Sequence, residues 1–407
     1  MRTEKSILHC DLNAFYASVE EVRNPELRKF PVAVCGNPEN RHGIILAKNE
    51  KAKAFGVKTA ETIWQAQKKC PELVFVRPHH AEYSKYSRIV NDIYLRYTDL
   101  VEPFGIDESW LDVTGTTHLF GTAEQIANEL RFVIREETGL TISVGVSFTK
   151  AFAKLGSDYK KPDATTVITP ENYKNIVWPL PVSDLLFVGK SAKKTFERLG
   201  INTIGELAES SRETISSLLG KTGELIHDYA NGKSDSPVKS AFAESDPKSI
   251  GRGTTFPHDL TEFSEIKTGI AMLSDDVAAR LRKHKLKAFS VSLTVRDPNF
   301  KTTSRQKTLM TPTHLEHDIS KACLELYAEY YAKRAIPVRM LTVTVSSLVP
   351  DSVAAHEQFS LFGDTENETK RESIELAVDK IRKKFGRDAM KKGSFLNPDF
   401  SLGSKEE

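Results

Sequence analysis

The chain has 407 residues and a formal net charge of +2, and 39% of its residues are hydrophobic and 28% charged. This length predicts two to four domains, and the composition is typical of a globular protein. No apolar run approaches the roughly 18 residues of a membrane span, the start lacks the features of a secretory signal, and the four scattered cysteines indicate neither disulfides nor a zinc site. We therefore expect a cytoplasmic protein without a membrane partner.

The first 168 residues alternate strand and helix patterns. A buried strand over 6–11 is followed by a helix over 14–22, and two strands, 100–105 and 109–113, meet in a tight hairpin. The order strand, helix, hairpin, helix, strand matches the split βαβ pattern. Further strands are predicted at 31–35, 43–47, 73–76, 141–148 and 165–168, and further helices at 50–55, 62–69, 82–97, 122–138 and 150–159.

The rest of the chain divides into a helical module, a linker, a second split βαβ pattern and a tail. Residues 248–350 hold 16 Lys and Arg against 10 Asp and Glu, so the positive charge of the chain is concentrated there. The tail contains an apolar island at 358–362 and is expected to be partly disordered. Helices are predicted at 192–199, 203–208, 212–219, 261–284, 314–332 and 368–385, and strands at 249–256, 288–296, 301–310 and 337–347.

Three carboxylates carry the most specific chemical signal. Asp11 ends a buried strand, and Asp107 and Glu108 lie at the hairpin tip, so they converge if these strands are neighbours. Clustered anions raise one another's pKa unless a cation neutralises them, and oxygen ligands without His or Cys favour Mg²⁺. Two such ions would support phosphoryl or nucleotidyl transfer. The Asp-Glu pair alone is better explained as an ordinary surface turn.

Sequence context favours the catalytic interpretation. Residues 9–20 (HCDLNAFYASVE) and 104–112 (FGIDESWLD) resemble two motifs of the Y-family DNA polymerases, and the resemblance extends over roughly residues 5–362. It implies an α+β fold with a ferredoxin-like palm, small fingers, a helical thumb and a ferredoxin-like little finger. The implied domains are palm 1–22 and 79–168, fingers 23–78, thumb 169–235, linker 236–247, little finger 248–350 and tail 351–407.

The resemblance also implies a site and a reaction. The reaction is low-fidelity, translesion DNA synthesis with two Mg²⁺ ions, in which a primer 3′-hydroxyl attacks a deoxynucleoside triphosphate. Three positions of the site depart from the family pattern: Asn13 stands where an acid is usual, and Glu50 and Lys53 stand where a tyrosine and an arginine contact the triphosphate. The implied metal ligands are Asp11, the Leu12 carbonyl, Asp107 and Glu108, and the implied nucleotide-binding residues are Phe15, Tyr16 as a gate against ribose, Lys161 and Lys53.

Residues 186–201 resemble the helix-hairpin-helix of the family's thumb, although Phe187 occupies its first glycine position. Such a hairpin presents backbone N–H groups to a DNA phosphate. In the last domain, the basic run 280–287 suits phosphate contacts, although charged runs are more often solvated. The predicted DNA contacts are Gly189, Lys190, Arg280, Arg282, Lys283 and Arg305, and the peptide Gln358, Phe359, Leu361 and Phe362 resembles the family's sliding-clamp ligand.

Two other functions remain open at this point. Another two-metal enzyme with a ferredoxin-like palm, such as a nucleotide cyclase, would share the carboxylates, since a fold does not fix a function. It would leave the helical module, the basic domain and the clamp-like peptide unexplained. A non-catalytic DNA- or clamp-binding protein would have no use for three clustered carboxylates. We therefore favour the polymerase, and expect a monomer bound to primer-template DNA, deoxynucleotides and the sliding clamp.

Overall fold

The computed structural model describes residues 5–36, 43–233, 236–243, 246–332, 336–352 and 365–393. Residues 365–368 are described by their backbone alone. The chain forms two compact units, which meet in sequence at residues 244 and 245. Each unit has its own hydrophobic core. None of the described helices is long and apolar enough to cross a membrane.

A five-stranded sheet organises the first unit, in the order β5-β6-β1-β7-β8. The central strand β1 is buried over its whole length because it has a neighbour on both edges and helices on both faces. Side chains alternate between the faces of a strand. The sheet strands are β1 (Ile7–Leu12), β5 (Val101–Pro103), β6 (Glu108–Asp112), β7 (Ile142–Ser147) and β8 (Thr165–Ile168).

Helices cover this sheet on both sides. Leu8 and Cys10 of β1 face a core shared with three helices, whereas Ile7 and His9 face the single helix α7. By the same alternation, Asp11 lies on the α7 side. The helices are α1 (Phe15–Arg23), α4 (His80–Tyr94) and α6 (Ala123–Thr138) on the first face and α7 (Lys150–Tyr159) on the second, with a short helix α5 (Thr117–Phe120) beside α6.

Two smaller subdomains complete the first unit. One is a three-stranded sheet of order β3-β2-β4 with two helices, and its small core includes Ile45 and Leu73. The other is helical, with a core that includes Phe196 and Ile226. Their elements are β2 (Val32–Cys35), β3 (Ile45–Lys48), α2 (Glu50–Ala54), α3 (Ile63–Lys69) and β4 (Val74–Val76), then α8 (Tyr173–Ile176), α9 (Lys190–Arg198), α10 (Ile204–Glu209) and α11 (Arg212–Ala230).

The second unit is a four-stranded antiparallel sheet of order β11-β10-β12-β9. Two helices pack on one face of this sheet, and a third lies against those helices through charged side chains. The elements are β9 (Ser249–Leu260), α12 (Phe263–Lys283), β10 (Leu286–Arg296), β11 (Thr302–Thr313), α13 (Glu316–Tyr330), β12 (Val338–Pro350) and α14 (Thr365–Phe385).

The α+β fold class and every predicted strand are confirmed, and most bounds agree within a few residues. Three details differ from the sequence prediction. Glu108 is the first residue of β6 rather than part of the hairpin turn, and the short helices α5 and α8 were not predicted. Helix α11 continues to Ala230 instead of ending at residue 219, because the chain kinks at Gly220, with φ of 61°, and then resumes the helix.

Gly145 of β7 fixes how closely α7 approaches the sheet. A Cβ atom at this position would overlap the Ala153 carbonyl and lie 2.5 Å from the Ser157 nitrogen. Because both groups belong to the α7 backbone, the helix would have to move. We expect Gly145→Ala to lower the free energy of unfolding by about 1 to 3 kcal/mol. Gly115→Ala is the matched control, because no atom lies within 4 Å of its added methyl group. Equal stability of the two variants in urea unfolding would contradict this packing.

Candidate active site

Strand register brings the predicted acids to one place. Asp11 of β1 is paired directly with Glu108 of β6, and the Leu12 N–H donates to the Asp107 carbonyl at 3.0 Å. Paired residues on neighbouring antiparallel strands point to the same face of the sheet. Asp11 is buried, whereas Asp107 and Glu108 are partly exposed at the mouth of the same site. The carboxyl groups therefore lie together where β1 ends and β6 begins, within the first sheet.

Two lysines balance these negative charges. Lys161 Nζ lies 2.6 Å from Asp11 Oδ2, and Lys154 Nζ lies 3.0 Å from Glu108 Oε1 and 3.7 Å from Asp11 Oδ2. Both ammonium groups also contact Asp158, Lys161 at 2.8 Å and Lys154 at 3.4 Å. Lys154 was not among the predicted site residues. Its position four residues before Asp158 was the available signal, because this spacing places both side chains on one face of α7.

Burial and charge move the pKa values of these acids in opposite directions. Burial raises the pKa of Asp11 to about 7, although the Lys161 ammonium works against the rise. Burial, together with the negative charge of Glu108, also raises the pKa of Asp107. Burial alone would raise the pKa of Glu108, but the His9 ring and the Lys154 ammonium outweigh it and hold that pKa below its usual range. Burial is thus the main cause of the two raised pKa values, and the contacts with His9 and Lys154 distinguish Glu108 from the other two acids.

The residues present fit a hard divalent cation. All three side chains offer carboxylate oxygens, the donors that Mg²⁺ prefers. In the described part of the chain, however, the donor atoms of Asp11, Asp107 and Glu108 do not all lie within 4.8 Å of one another. Ion pairs with Lys161 and Lys154 hold the Asp11 and Glu108 oxygens in this arrangement. A cation between the three carboxylates would supply the positive charge that now comes from lysine.

Two buried polar side chains, His9 and Asn13, connect β1 to the segments around the site. His9 Nδ1 lies 2.8 Å from Ser157 Oγ, and its Nε2 lies 3.6 Å from Glu108. The Asn13 side-chain nitrogen Nδ2 donates to Ser143 Oγ at 2.9 Å, and its side-chain oxygen Oδ1 accepts the Asp163 N–H at 2.8 Å. The amide thus ties the end of β1 to the loop that follows Lys161. An acid at this position could not donate to Ser143 in its ionised form.

Tyr16 forms an aromatic stack beside the acids. Its ring lies 4.0 Å from the Tyr83 ring at an angle of 12°, and the Tyr83 hydroxyl donates to buried Glu20 at 2.6 Å. Burial raises the pKa of Tyr16, and the nearby Asp107 charge adds to the rise. Phe15, by contrast, is buried in the core of the first sheet. Tyr83, which the sequence analysis missed, therefore fixes where the Tyr16 ring can lie.

The predicted triphosphate contact Lys53 lies on α2, in the small three-stranded subdomain. Its ammonium is 3.2 Å from Glu50, and both side chains are about half exposed. Exposed pairs of this kind contribute little to stability, so Lys53 can exchange Glu50 for another anion at low cost. Glu50 and Lys53, which both depart from the family pattern, thus neutralise each other.

The segment of the predicted hairpin consists of a 3-10 turn at Val182–Asp184, a loop that contains Phe187, and helix α9. Phe187 has φ of 70°, the left-handed conformation that glycine favours, and its ring stacks on Tyr229 with centroids 6.1 Å apart. Gly189 caps α9, and its N–H donates to the Phe187 carbonyl at 3.1 Å. Lys190 begins α9, so the N–H groups of its first turn are the groups that would meet an anion.

In the second unit, the four predicted DNA contacts have different surroundings. Lys283 is exposed at the end of α12, and Arg280 donates to the Gly251 carbonyl at 2.8 Å. Arg305 lies over the Tyr330 ring of α13, on the helix-covered side of the sheet. The Arg282 side chain is only 4% exposed and pairs with Glu375 and with Asp379 of α14. The positive charge of Arg282 is therefore neutralised by carboxylates of the same unit.

We expect Arg282→Ala to lower the free energy of unfolding of this unit by about 3 kcal/mol, because two partly buried carboxylates lose their partner. Lys283→Ala is the matched control, since exposed side chains without such partners change stability by less than about 0.5 kcal/mol. Thermal unfolding followed by circular dichroism measures both. Equal melting temperatures for the two variants would show that Arg282 is not a structural residue.

The open face of the second sheet carries mainly small hydroxyl side chains. Val291, Leu293 and Val295 of β10 face the helices, so the residues between them face away. Ser292 and Thr294 contact Ser304 of β11 at 3.0 and 2.9 Å on that open face. On β9, added Cβ atoms at Gly251 and Gly253 would collide with Thr344 and Thr342, so the glycines keep this surface flat.

The predicted clamp peptide Gln358, Phe359, Leu361 and Phe362 lies outside the described residues. Its neighbours on either side are described: β12 ends at Pro350, and α14 begins at Thr365. The clamp interaction therefore stays a prediction from the sequence.

Fold and site together define a polymerase-type nucleotidyltransferase, and comparison with known proteins specifies it. The impB/mucB/samB family model matches residues 10–158, and the model of that family's C-terminal domain matches residues 247–361. DNA polymerase IV of Acetivibrio thermocellus is 46% identical over 393 residues, 97% of this chain and 98% of that protein. DNA polymerase IV 1 of Bacillus subtilis is 36% identical, over 97% of this chain and 94% of its own.

A solved structure agrees in fold. A chimeric Y-family DNA polymerase superposes with a TM-score of 0.74, covering 85% of this chain and 99% of its own, at 22% sequence identity. The chain therefore belongs to the Y-family DNA polymerases and is of the DNA polymerase IV type. It is a DNA-directed DNA polymerase of the translesion class, as the resemblance of its motifs predicted. The cyclase and the non-catalytic scaffold are thereby set aside.

Proposed function

We propose that Asp11, Asp107 and Glu108 hold two Mg²⁺ ions and that nucleotide addition takes place between them. The single observation that carries this proposal is the direct pairing of Asp11 with Glu108 across β1 and β6, beside Asp107. When bound, the ions would supply positive charge at the attacking and leaving oxygens of an in-line displacement. The Leu12 carbonyl is the fourth proposed ligand.

Lys161 and Lys154 contribute charge of their own. Lys161 is an ammonium on a flexible stem, 28% exposed and within reach of the site entrance, so it suits contact with a triphosphate. Lys154 is more deeply buried and stays against Glu108. We assign Lys161 to the incoming triphosphate, with Lys53 as a second, peripheral cation, and Lys154 to the positioning of Glu108.

Tyr16 is proposed to lie beneath the sugar of the incoming nucleotide. The Tyr83 ring behind it prevents Tyr16 from retreating, so an added 2′-hydroxyl would meet a fixed aromatic surface. The neighbouring Phe15 contributes through its backbone, because its side chain belongs to the core.

We further propose that DNA lies on the open face of the second sheet and on the first turn of α9. Hydroxyl groups and backbone N–H groups contact phosphates without reading sequence, which a polymerase requires. Lys283 and Arg280 would add charge at the rim, whereas Arg282 is excluded because α14 occupies it. Such binding should weaken steeply with salt.

The remaining proposals rest on the sequence. The peptide Gln358, Phe359, Leu361 and Phe362 would dock into a sliding clamp and raise processivity through effective concentration. We propose a cytoplasmic monomer. If clamp-stimulated synthesis is unchanged after deletion of residues 357–407, the clamp proposal is wrong.

The metal proposal is tested by the dependence of single-turnover nucleotide addition on free Mg²⁺. Two ions predict a rate that rises with the square of the Mg²⁺ concentration below saturation, whereas a linear dependence would contradict the second ion. Glu102→Gln is a matched control, since Glu102 pairs with Lys150 at 2.7 Å outside the proposed ligand set. Its Mg²⁺ dependence should equal that of the wild type.

A further inference from the structure

A buried histidine in the second unit has a ring nitrogen without a partner. His314 precedes α13, and its side chain is 4% exposed. Its Nε2 lies 2.8 Å from Glu372 Oε1 of α14, whereas its Nδ1 has no hydrogen-bond partner. Asp351, one residue beyond β12, places Oδ1 3.9 Å from this Nδ1. A buried polar atom without a partner is costly, so this arrangement calls for a ligand.

The chemistry of the three groups indicates which ligand. If Nε2 carries the ring proton and donates it in a hydrogen bond to Glu372, Nδ1 carries a lone pair. This lone pair and the nearby Asp351 carboxylate are both electron-rich. Among the described residues, this is the one group of three His, Cys, Asp or Glu side chains with all donor atoms within 4.8 Å. A cation between Nδ1 and Asp351 would remove the mismatch.

We propose that His314 Nδ1 and Asp351 bind a divalent transition metal ion of the Zn²⁺ type, and that Glu372 positions the imidazole through Nε2. Mixed imidazole and carboxylate donors favour Zn²⁺ over Mg²⁺. A carboxylate on the second ring nitrogen is the usual partner of a metal-bound histidine, because it fixes the tautomer and the ring orientation. This site is separate from the carboxylates of the first sheet and does not depend on their proposed roles.

The ion would stabilise the position of helix α14 against the rest of the second unit. Helix α14 is attached by charged contacts, including Arg382 with Asp275 at 2.8 Å, whereas Ile374, Ile381 and Phe385 of the same helix are exposed. Ion pairs near the surface weaken as salt is added. The metal would coordinate His314, before α13, and Asp351, just beyond β12. By fixing the His314 ring, it would preserve the hydrogen bond to Glu372 of α14 at salt concentrations that loosen the ion pairs.

An internal cation competes for the same carboxylate. Lys287 Nζ lies 3.1 Å from Asp351 Oδ1, with the lysine 23% and the aspartate 42% exposed. A zinc ion would therefore share Asp351 with Lys287, or displace the ammonium into solvent. Removing the lysine charge should strengthen zinc binding, which distinguishes a metal site from a histidine that is merely buried.

The test is a calorimetric titration of the metal-free, full-length protein with Zn²⁺ in millimolar Mg²⁺, which occupies sites with oxygen ligands alone. The wild type should take up one equivalent that His314→Gln and Asp351→Asn lose. Glu372→Gln should weaken this uptake about tenfold or more, as expected for a ring-orienting partner. Lys287→Met should tighten it. The matched control is His258→Gln, because His258 lies 3.1 Å from Glu265 on the surface of the same unit.

Uptake of the same number of zinc ions by the wild type and Asp351→Asn would overturn the proposal, as would loss of the equivalent in His258→Gln. Asp351 is partly exposed, so its replacement by Asn should leave the fold intact. A second readout is independent of binding stoichiometry. Zinc should slow hydrogen exchange of the α14 amides in the wild type and leave it unchanged in Asp351→Asn; equal slowing in both would also refute the site.

Discussion

Replacing Asp11 by Asn is expected to slow nucleotide addition by about a thousandfold or more. Asparagine has nearly the same shape, and Asp11 is a buried residue at the end of a central strand, so the sheet should keep its register. The amide has no negative charge to hold a divalent cation, and it leaves Lys161 without its contact at 2.6 Å. The loss should therefore appear in catalysis and not in folding.

Asp158→Asn is the control for the Asp11 experiment. Asp158 contacts the same two lysines, at 2.8 and 3.4 Å, but it lies near the end of α7 and its side chain is 48% exposed. Solvent screens its charge, so we expect less than about a tenfold change in rate. Single-turnover extension at saturating Mg²⁺ and deoxynucleotide measures both variants. Equal losses in Asp158→Asn and Asp11→Asn would mean that the lysines, and not a metal ligand, account for the effect.

Replacing Tyr16 by Ala should raise the use of ribonucleotides relative to deoxynucleotides by about a hundredfold. The Tyr16 ring is held against Tyr83, whose hydroxyl is in turn held by Glu20. A shortened side chain leaves room for a 2′-hydroxyl, while the acids and Lys161 are unchanged. The measurement compares kcat/KM for the two nucleotides opposite the same template base.

Three further variants distinguish the role of the Tyr16 ring from that of Tyr83, which supports it. Tyr16→Phe keeps the ring and should keep the discrimination against ribonucleotides. Tyr83→Ala removes the surface behind the ring, so discrimination should fall although the residue next to the sugar is intact; Tyr83→Phe retains the stack and should behave as the wild type. Equal ribonucleotide use by the wild type and Tyr16→Ala would falsify the assignment of the gate.

Much of the first sheet could be predicted from sequence because its signals are local. The apolar run of β1 and the hairpin around Asp107 identify neighbouring strands, and the alternation along a strand determines which side Asp11 faces. The contact between Asp11 and Glu108 follows from that register. The family motifs then supplied the chemistry that the spacing of three acids could not specify.

The remaining features depend on contacts between distant segments, which composition and spacing do not encode. Lys154 and Arg282 are both basic residues of helices, yet one contacts the acids and the other is buried under α14. Neither set of partners can be read from the sequence around it. Likewise, nothing near Tyr16 in the sequence identifies Tyr83 as the residue that supports it.

The most direct test of the polymerase assignment and its carboxylates is primer extension on a primed DNA template with Mg²⁺ and deoxynucleotides, comparing the wild type with an Asp107→Ala, Glu108→Ala double variant. We predict short, distributive products for the wild type and none for the variant at equal, verified folding. Extension by both proteins would place the chemistry elsewhere. A folded wild type that extends no primer at any salt or metal concentration would contradict catalysis itself.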